Sequence, residues 1–276
     1  MGTFSFGTDV VTIPSTPNIV LERLRIDRGE REQYRLHRPV SYYDDETART
    51  YVVPPGAEFG DFETDLASVP QLFTWLVPKS GNHLAAALVH DHLVDLDPRR
   101  YGDQIGVDRH VADRIFRDAM GDLDVGFIRR WMMWTAVSIK TIQKRGTTLQ
   151  RVGAFGSLAL IVVLGALATA NLFTDHTLVP WMGDRGLAAE IALGLAGAVV
   201  IPIVLGALLW SPIRIAGVIA GVALSLLLHA MALLFMTYLV YSWVERWPRK
   251  VQAVVAVVVV LAAAAGFAYG VITAVA

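Results

Sequence analysis

Residues 154–173 read AFGSLALIVVLGALATANLF, and this stretch decides the class of fold because it contains no Asp, Glu, Lys or Arg. Three later stretches, residues 191–210, 215–244 and 251–276, are equally free of charge. About 20 apolar residues span the hydrocarbon core of a bilayer as a helix, and a helix satisfies its own backbone polar groups in lipid. The sequence therefore predicts a C-terminal all-α bundle of four transmembrane helices.

Charge divides the chain into two parts. Residues 152–276 carry nine charged side chains, whereas residues 1–151 carry forty, of which 21 are acidic and 19 are basic. This near-balance lacks the basic excess of nucleic-acid-binding proteins, so no nucleic acid partner is expected. The absence of cysteine excludes disulfides and thiolate metal sites. We predict a polar domain over residues 1–150 and a membrane domain over residues 151–276.

The expected location is the inner, cytoplasmic membrane of a bacterium, as a multi-pass protein. Basic residues precede the first predicted span, and no secretory signal is visible. Because cytoplasmic flanks favour Lys and Arg, the N-terminal domain is expected in the cytoplasm. Richness in Ala, Val, Gly and Arg is typical of a high-GC bacterium or its phage. The bundle is expected to contact the lipid bilayer and to associate with a second copy or another membrane protein.

The polar domain changes from strand-like to helical patterns along its length, which predicts an α+β fold. Short β-prone runs near residues 19–21, 34–43 and 50–53 predict a small β-sheet. From Pro70 the apolar residues recur with a helical period. A short helix over 71–77 is expected, followed by three longer helices over 82–95, 108–123 and 126–144, with Asp108 as the N-cap of the second.

Two segments of this domain carry side chains suited to chemistry. Residues 62–70 read FETDLASVP, and residues 85–93 read AAALVHDHL, with Asp113 following 23 residues after His90. Together they resemble a phage and bacterial family, domain of unknown function 1353, over roughly residues 30–140. The helix with His90 and Asp91 also resembles the active-site helix of phospholipase A2, particularly the compact viral capsid form.

The phospholipase resemblance implies a hydrolase of lipid esters. An antiparallel second helix would bring Asp113 to the far nitrogen of His90, where a carboxylate fixes the tautomer and supports the imidazolium. His90 would then act as the general base on a water. Asp91 would bind a divalent metal, with calcium as the candidate, and Asp65 would add a further metal oxygen or cap the loop. The predicted catalytic residues are thus His90 and Asp113, and the predicted metal ligands are Asp91 and Asp65.

A second interpretation is a non-catalytic, phage-related or bacterial membrane assembly protein, in which the same motifs only tie helices and loop together. Val94 stands where the phospholipase pattern has a supporting tyrosine, and no glycine-rich calcium loop with the viral spacing is present. Transport through the bundle is a third interpretation, with only His229 and Pro202 in its favour. His92 and His110 are expected to face solvent, whereas His83, beside the predicted helix start at Asn82, is expected to be structural.

Overall fold

A computed structural model describes residues 2–6, 19–24, 33–53, 63–64, 80–95, 107–174, 177–183, 185–249, 251–252, 254 and 257–258. The chain divides into two compact units, Met1–Leu227 and Leu228–Ala276. The compositional boundary at residue 150 lies inside the first unit. The predicted helix over 71–77, the predicted metal ligand Asp65 and most of the predicted fourth span lie outside the described residues.

The strands of the described residues form two antiparallel sheets of three strands each. The first has the order β1-β4-β5, with β1 at Thr3–Phe6, β4 at Val40–Asp44 and β5 at Arg49–Val53. The second has the order β2-β3-β6, with β2 at Leu21–Arg23, β3 at Tyr34–Leu36 and β6 at Glu63–Thr64. The expectation of a single small sheet is therefore wrong. Pro39 cannot donate to a strand ladder, and the run predicted over residues 34–43 breaks there into two strands that join different sheets.

The first sheet presents one face to the core of the polar domain. Along β5, Tyr51 and Val53 are buried while Thr50 and Val52 are exposed. This alternation follows from the pleat, which directs successive side chains to opposite faces. The buried face packs against the first helix of the domain, and Phe4 of β1 contributes to the same core.

Three helices follow the strands close to their predicted positions: α1 at Leu84–Asp95, α2 at Arg109–Asp122 and α3 at Phe127–Arg145. Apolar residues at helical spacing form the buried stripe of α2, namely Ala112, Ile115, Phe116, Ala119 and Met120. The side chain of Asp108 accepts a hydrogen bond from the amide of His110 at 2.8 Å. The predicted N-cap is thereby confirmed, because such a bond satisfies an amide that the helix leaves free.

Helix α1 is buried almost all round, since it packs against β4, β5 and α2. His92 is only 4% exposed, so the expectation that it faces solvent is wrong. The expectation assumed a helix with one solvent-exposed face, whereas α1 has Ala, Leu or Val on nearly every side. Burial disfavours the charged imidazolium and lowers the pKa of His92 to about 4. His110, on α2, is half-buried.

The C-terminal region is helical and apolar. It contains α4 at Thr148–Asn171, α5 at Leu187–Leu209 and α6 at Arg214–Val244. Helices α4 and α5 are long and apolar enough to cross a membrane, and α6 adds a third span if its two parts count as one bent span. By length and composition, the described residues therefore support two to three of the four predicted transmembrane helices.

The polar domain and the first apolar helix meet in a small buried cluster. Ile142 of α3, Ala154 of α4 and Trp210 pack together. The indole Nε1 of Trp210 donates a hydrogen bond to Ser157 Oγ at 2.9 Å. Only residues 146–147 separate α3 from α4. The last helix of the polar domain is thus tied both along the chain and by packing to the apolar helices.

Candidate functional site

His90 and Asp113 form a buried pair between α1 and α2. The Nε2 atom of His90 lies 2.8 Å from Oδ1 of Asp113, and the two side chains are 7% and 2% exposed. At this distance a proton on Nε2 is donated to the carboxylate in a charge-assisted hydrogen bond. The structure thus brings together the two residues predicted as catalytic. Their catalytic role stays a prediction.

Asp91 lies on the other side of the imidazole. Its Oδ1 is 4.0 Å from Nδ1 of His90, and its Oδ2 accepts a hydrogen bond from Thr64 Oγ1 at 2.9 Å. Consecutive residues of a helix diverge by about 100°, so Asp91 cannot share the face on which His90 meets α2. Thr64 belongs to the FETDLASVP segment, and its bond to Asp91 therefore joins the two sequence motifs in space.

Packing and charge act in opposite directions on the imidazole of His90. The ring lies against Phe116, with ring centroids 4.9 Å apart. Burial alone would lower the pKa of His90, but the hydrogen bond to Asp113 and the negative charges of Asp113 and Asp91 outweigh it, and the net pKa is raised. The two carboxylates thus favour the imidazolium, which can direct one N–H towards each of them.

A third helix contributes a hydroxyl that the sequence did not indicate. Thr141 of α3 donates its hydroxyl proton to Oδ2 of Asp113, with 2.6 Å between the oxygens. The same hydroxyl oxygen accepts a hydrogen bond from Nε of Arg109 at 3.2 Å. Thr141 lies 28 residues beyond Asp113. Neither motif reaches that far along the chain, so no sequence signal separated it from other polar residues of α3.

The metal prediction depends on Asp91 and Asp65, and Asp65 lies outside the described residues. Within the part of the chain that the structure describes, no group of three or more His, Asp or Glu could hold a metal ion. Asp91 alone offers one carboxylate, of which one oxygen already accepts from Thr64. Calcium takes about six to eight oxygen ligands. The described residues therefore do not form a metal site by themselves, and the metal stays a prediction.

The fold and the site define a small α+β domain with a buried His–Asp pair, attached to apolar helices. Residues 34–137 match the family model described as "Protein of unknown function (DUF1353)". The resemblance predicted over roughly residues 30–140 is thereby confirmed, and the matched segment contains both His90 and Asp113. No curated protein and no solved structure gives a match. The phospholipase resemblance stays a prediction.

Proposed function

We propose that this protein is a membrane-attached hydrolase of lipid esters in which His90 is the general base. The observation that carries the proposal is the hydrogen bond of 2.8 Å between His90 Nε2 and the buried carboxylate of Asp113. In the neutral form of the ring, a carboxylate at Nε2 holds the imidazole in the tautomer with its proton on Nε2, so the lone pair of Nδ1 can take a proton. It also stabilises the imidazolium that forms when the proton arrives.

In the proposed reaction a water beside Nδ1 of His90 attacks the carbonyl carbon of the ester. As the new C–O bond forms, the proton of the water passes to Nδ1, and Asp113 supports the imidazolium. The tetrahedral intermediate then collapses, and the bond between the carbonyl carbon and the alcohol oxygen breaks. Nδ1 returns the proton to the leaving oxygen, so the products are a carboxylic acid and an alcohol.

The attachment of the site to apolar helices supports a lipid ester as the substrate. Helix α3, which contacts Asp113 through Thr141, continues after two residues into α4. Helix α4 is long and apolar enough to cross a membrane. A site attached to α4 through α3 lies next to the bilayer, where lipid esters are concentrated. We place the bundle in a bacterial cytoplasmic membrane and the His90 domain on the cytoplasmic side.

The proposal is tested with the full-length protein in detergent, mixed with vesicles of an ester phospholipid, by measuring fatty-acid release. Calcium, magnesium, manganese and zinc are added singly, because Asp91 and Asp65 are proposed to hold a divalent metal. We expect release in at least one condition and a loss of about 100-fold or more in His90→Gln. His37→Gln is the matched control, since His37 is exposed and bonded to Glu22. No release from the wild type with any metal would contradict the proposal.

A non-catalytic role in a membrane assembly is the second candidate, and the burial of the pair favours it. His90, Asp113 and Thr141 tie α1, α2 and α3 together in a region with little exposed surface. In that case His90→Gln lowers the melting temperature and there is no turnover to lose. Lipid hydrolysis by the wild type that is lost in folded His90→Gln protein rejects this candidate.

A further inference from the structure

Thr141 lies at the site but outside every segment that marked the site in the sequence. The family match ends at residue 137, and Thr141 follows on the C-terminal half of α3. Its side chain is buried, and its hydroxyl oxygen lies 2.6 Å from Oδ2 of Asp113. The other oxygen of the same carboxylate faces His90. Each carboxylate oxygen of Asp113 thus has its own donor.

The direction of the hydrogen bonds around Thr141 is fixed by chemistry. Arg109 Nε lies 3.2 Å from Thr141 Oγ1, and a guanidinium can only donate. The hydroxyl therefore accepts from Arg109 and must direct its single proton elsewhere, which leaves Oδ2 of Asp113 as its acceptor. Arg109 is itself held by a hydrogen bond of 3.4 Å to the backbone oxygen of Val94. The chain of donors runs from Arg109 through Thr141 to Asp113.

We propose that Thr141 is a positioning residue of the His90–Asp113 pair. A carboxylate rotates about the last bond of its side chain, so a donor held at Oδ2 also fixes the place of Oδ1. The hydroxyl of Thr141 thereby holds the acceptor of the His90 Nε2 proton in line with the ring. This role rests on the proposed function, because it prepares His90 as the general base.

The place of Thr141 is fixed in turn by the apolar helices. The next residue, Ile142, is buried against Ala154 of α4 and against Trp210. One turn of α3 therefore contacts the His–Asp pair through residue 141 and the apolar cluster through residue 142. The packing of Ile142 against the apolar cluster fixes this turn, so the hydroxyl of Thr141 is held in place as a donor to Asp113.

The test compares two replacements of Thr141 with one matched control. Thr141→Val keeps the shape and removes the hydroxyl, and Thr141→Ser keeps the hydroxyl. Thr135→Val makes the same change earlier on α3. The hydroxyl of Thr135 is also buried, but it has no hydrogen-bond partner among the described residues. Two quantities are measured on the full-length protein in detergent. One is kcat and KM for phospholipid hydrolysis, and the other is the NMR resonance of the His90 Nε2 proton, assigned by its absence in His90→Gln.

We expect Thr141→Val to lower kcat about tenfold and to leave KM unchanged. This size corresponds to the loss of one hydrogen bond to a charged group. The same variant should shift the Nε2 proton resonance, because the carboxylate that accepts this proton loses its fixed orientation. Thr141→Ser and Thr135→Val should keep the wild-type resonance. If Thr141→Val does not fold, Arg109→Met takes its place, since it removes the donor that orients the hydroxyl.

An unchanged Nε2 resonance in Thr141→Val, or an equal shift in Thr141→Ser, overturns the positioning role. A wild type without hydrolysis contradicts the proposed function but leaves the resonance measurable. In that case the comparison of the valine and serine variants still decides whether Thr141 positions the pair.

Discussion

Replacing Asp113 by asparagine tests the buried pair sharply, because the change keeps the shape of the side chain and removes its charge. In the structure Oδ1 accepts from His90 at 2.8 Å and Oδ2 accepts from Thr141 at 2.6 Å. Asparagine places one oxygen and one amide nitrogen at these positions. One of the two donors therefore loses its acceptor, and the imidazolium loses its nearest counter-ion.

The burial of the pair sets the size of the effect. A hydrogen bond to a charged group contributes about 1.5–3 kcal/mol, and removing one partner of a buried ion pair costs about 3–5 kcal/mol. The imidazole can release its proton and so avoid being left as an unpaired buried charge, which keeps the cost at the low end of the ion-pair range. We therefore expect Asp113→Asn to lower the free energy of unfolding by about 3 kcal/mol, the value at which the two ranges meet. In a unit the size of Met1–Leu227, 1 kcal/mol shifts the melting temperature by roughly 2–4 °C, so Asp113→Asn should melt about 6–12 °C lower.

Thermal unfolding of the full-length protein in detergent, followed by circular dichroism, measures this shift. Asp108→Asn is the matched control, because Asp108 caps the same helix from an exposed position and asparagine caps equally well. In a double-mutant cycle with His90→Gln, the two single losses should exceed the double loss by about 2 kcal/mol. A melting temperature of Asp113→Asn within about 1 °C of the wild type, or additive losses in the cycle, would refute this reasoning.

Three further changes test contacts around the site and on the first sheet. Thr64→Val removes the hydrogen bond to Asp91 and should lower the unfolding free energy by about 1–2 kcal/mol in a urea titration. Phe116→Ala removes a buried ring packed against the imidazole and should cost about 3–5 kcal/mol in the same assay. Asp44→Asn removes an ion pair with Arg114. Burial alone would raise the pKa of Asp44, but hydrogen bonds, chiefly from Arg114, outweigh it and lower that pKa. The wild type should therefore melt above Asp44→Asn at neutral pH. This difference should begin to shrink near pH 4, about the pKa of an unfolded aspartate, and should be lost as the pH falls through the lower pKa of Asp44 in the folded protein.

Each of these changes has a control or an outcome that contradicts it. Thr50→Val makes the threonine change at an exposed position of β5 and should stay within about 0.5 kcal/mol of the wild type. A loss below about 1 kcal/mol in Phe116→Ala would contradict its place in the core. A melting difference between Asp44→Asn and the wild type that is equal at pH 7 and pH 3 would contradict the ion pair as its source.

The helical part of the polar domain was predictable because its signals are local. The apolar period of α2 and the cap at Asp108 both appear within a few residues, and the observed helix begins directly after that cap. The meeting of His90 with Asp113 was predictable as well. A carboxylate on a second, antiparallel helix was expected at the far nitrogen of His90, and Oδ1 of Asp113 lies 2.8 Å from that nitrogen, Nε2.

The features that sequence reasoning missed depend on contacts between distant segments. Strand β1, at the start of the chain, pairs with β4 some forty residues later, and no local pattern specifies that partner. The burial of His92 follows from elements packed on both sides of α1, which the period of a single helix does not reveal. Thr141 reaches Asp113 only because helix α3 packs against α2.

Fatty-acid release by the wild type and by His90→Gln, each measured about 10 °C below the lower of their two melting temperatures, tests the central claim most directly. We predict that the wild type releases fatty acid from ester phospholipid vesicles with one of the four divalent metals. The folded His90→Gln protein should be slower by about 100-fold or more. Equal release by the two folded proteins, or none by the wild type, would contradict His90 as the general base of a lipid hydrolase.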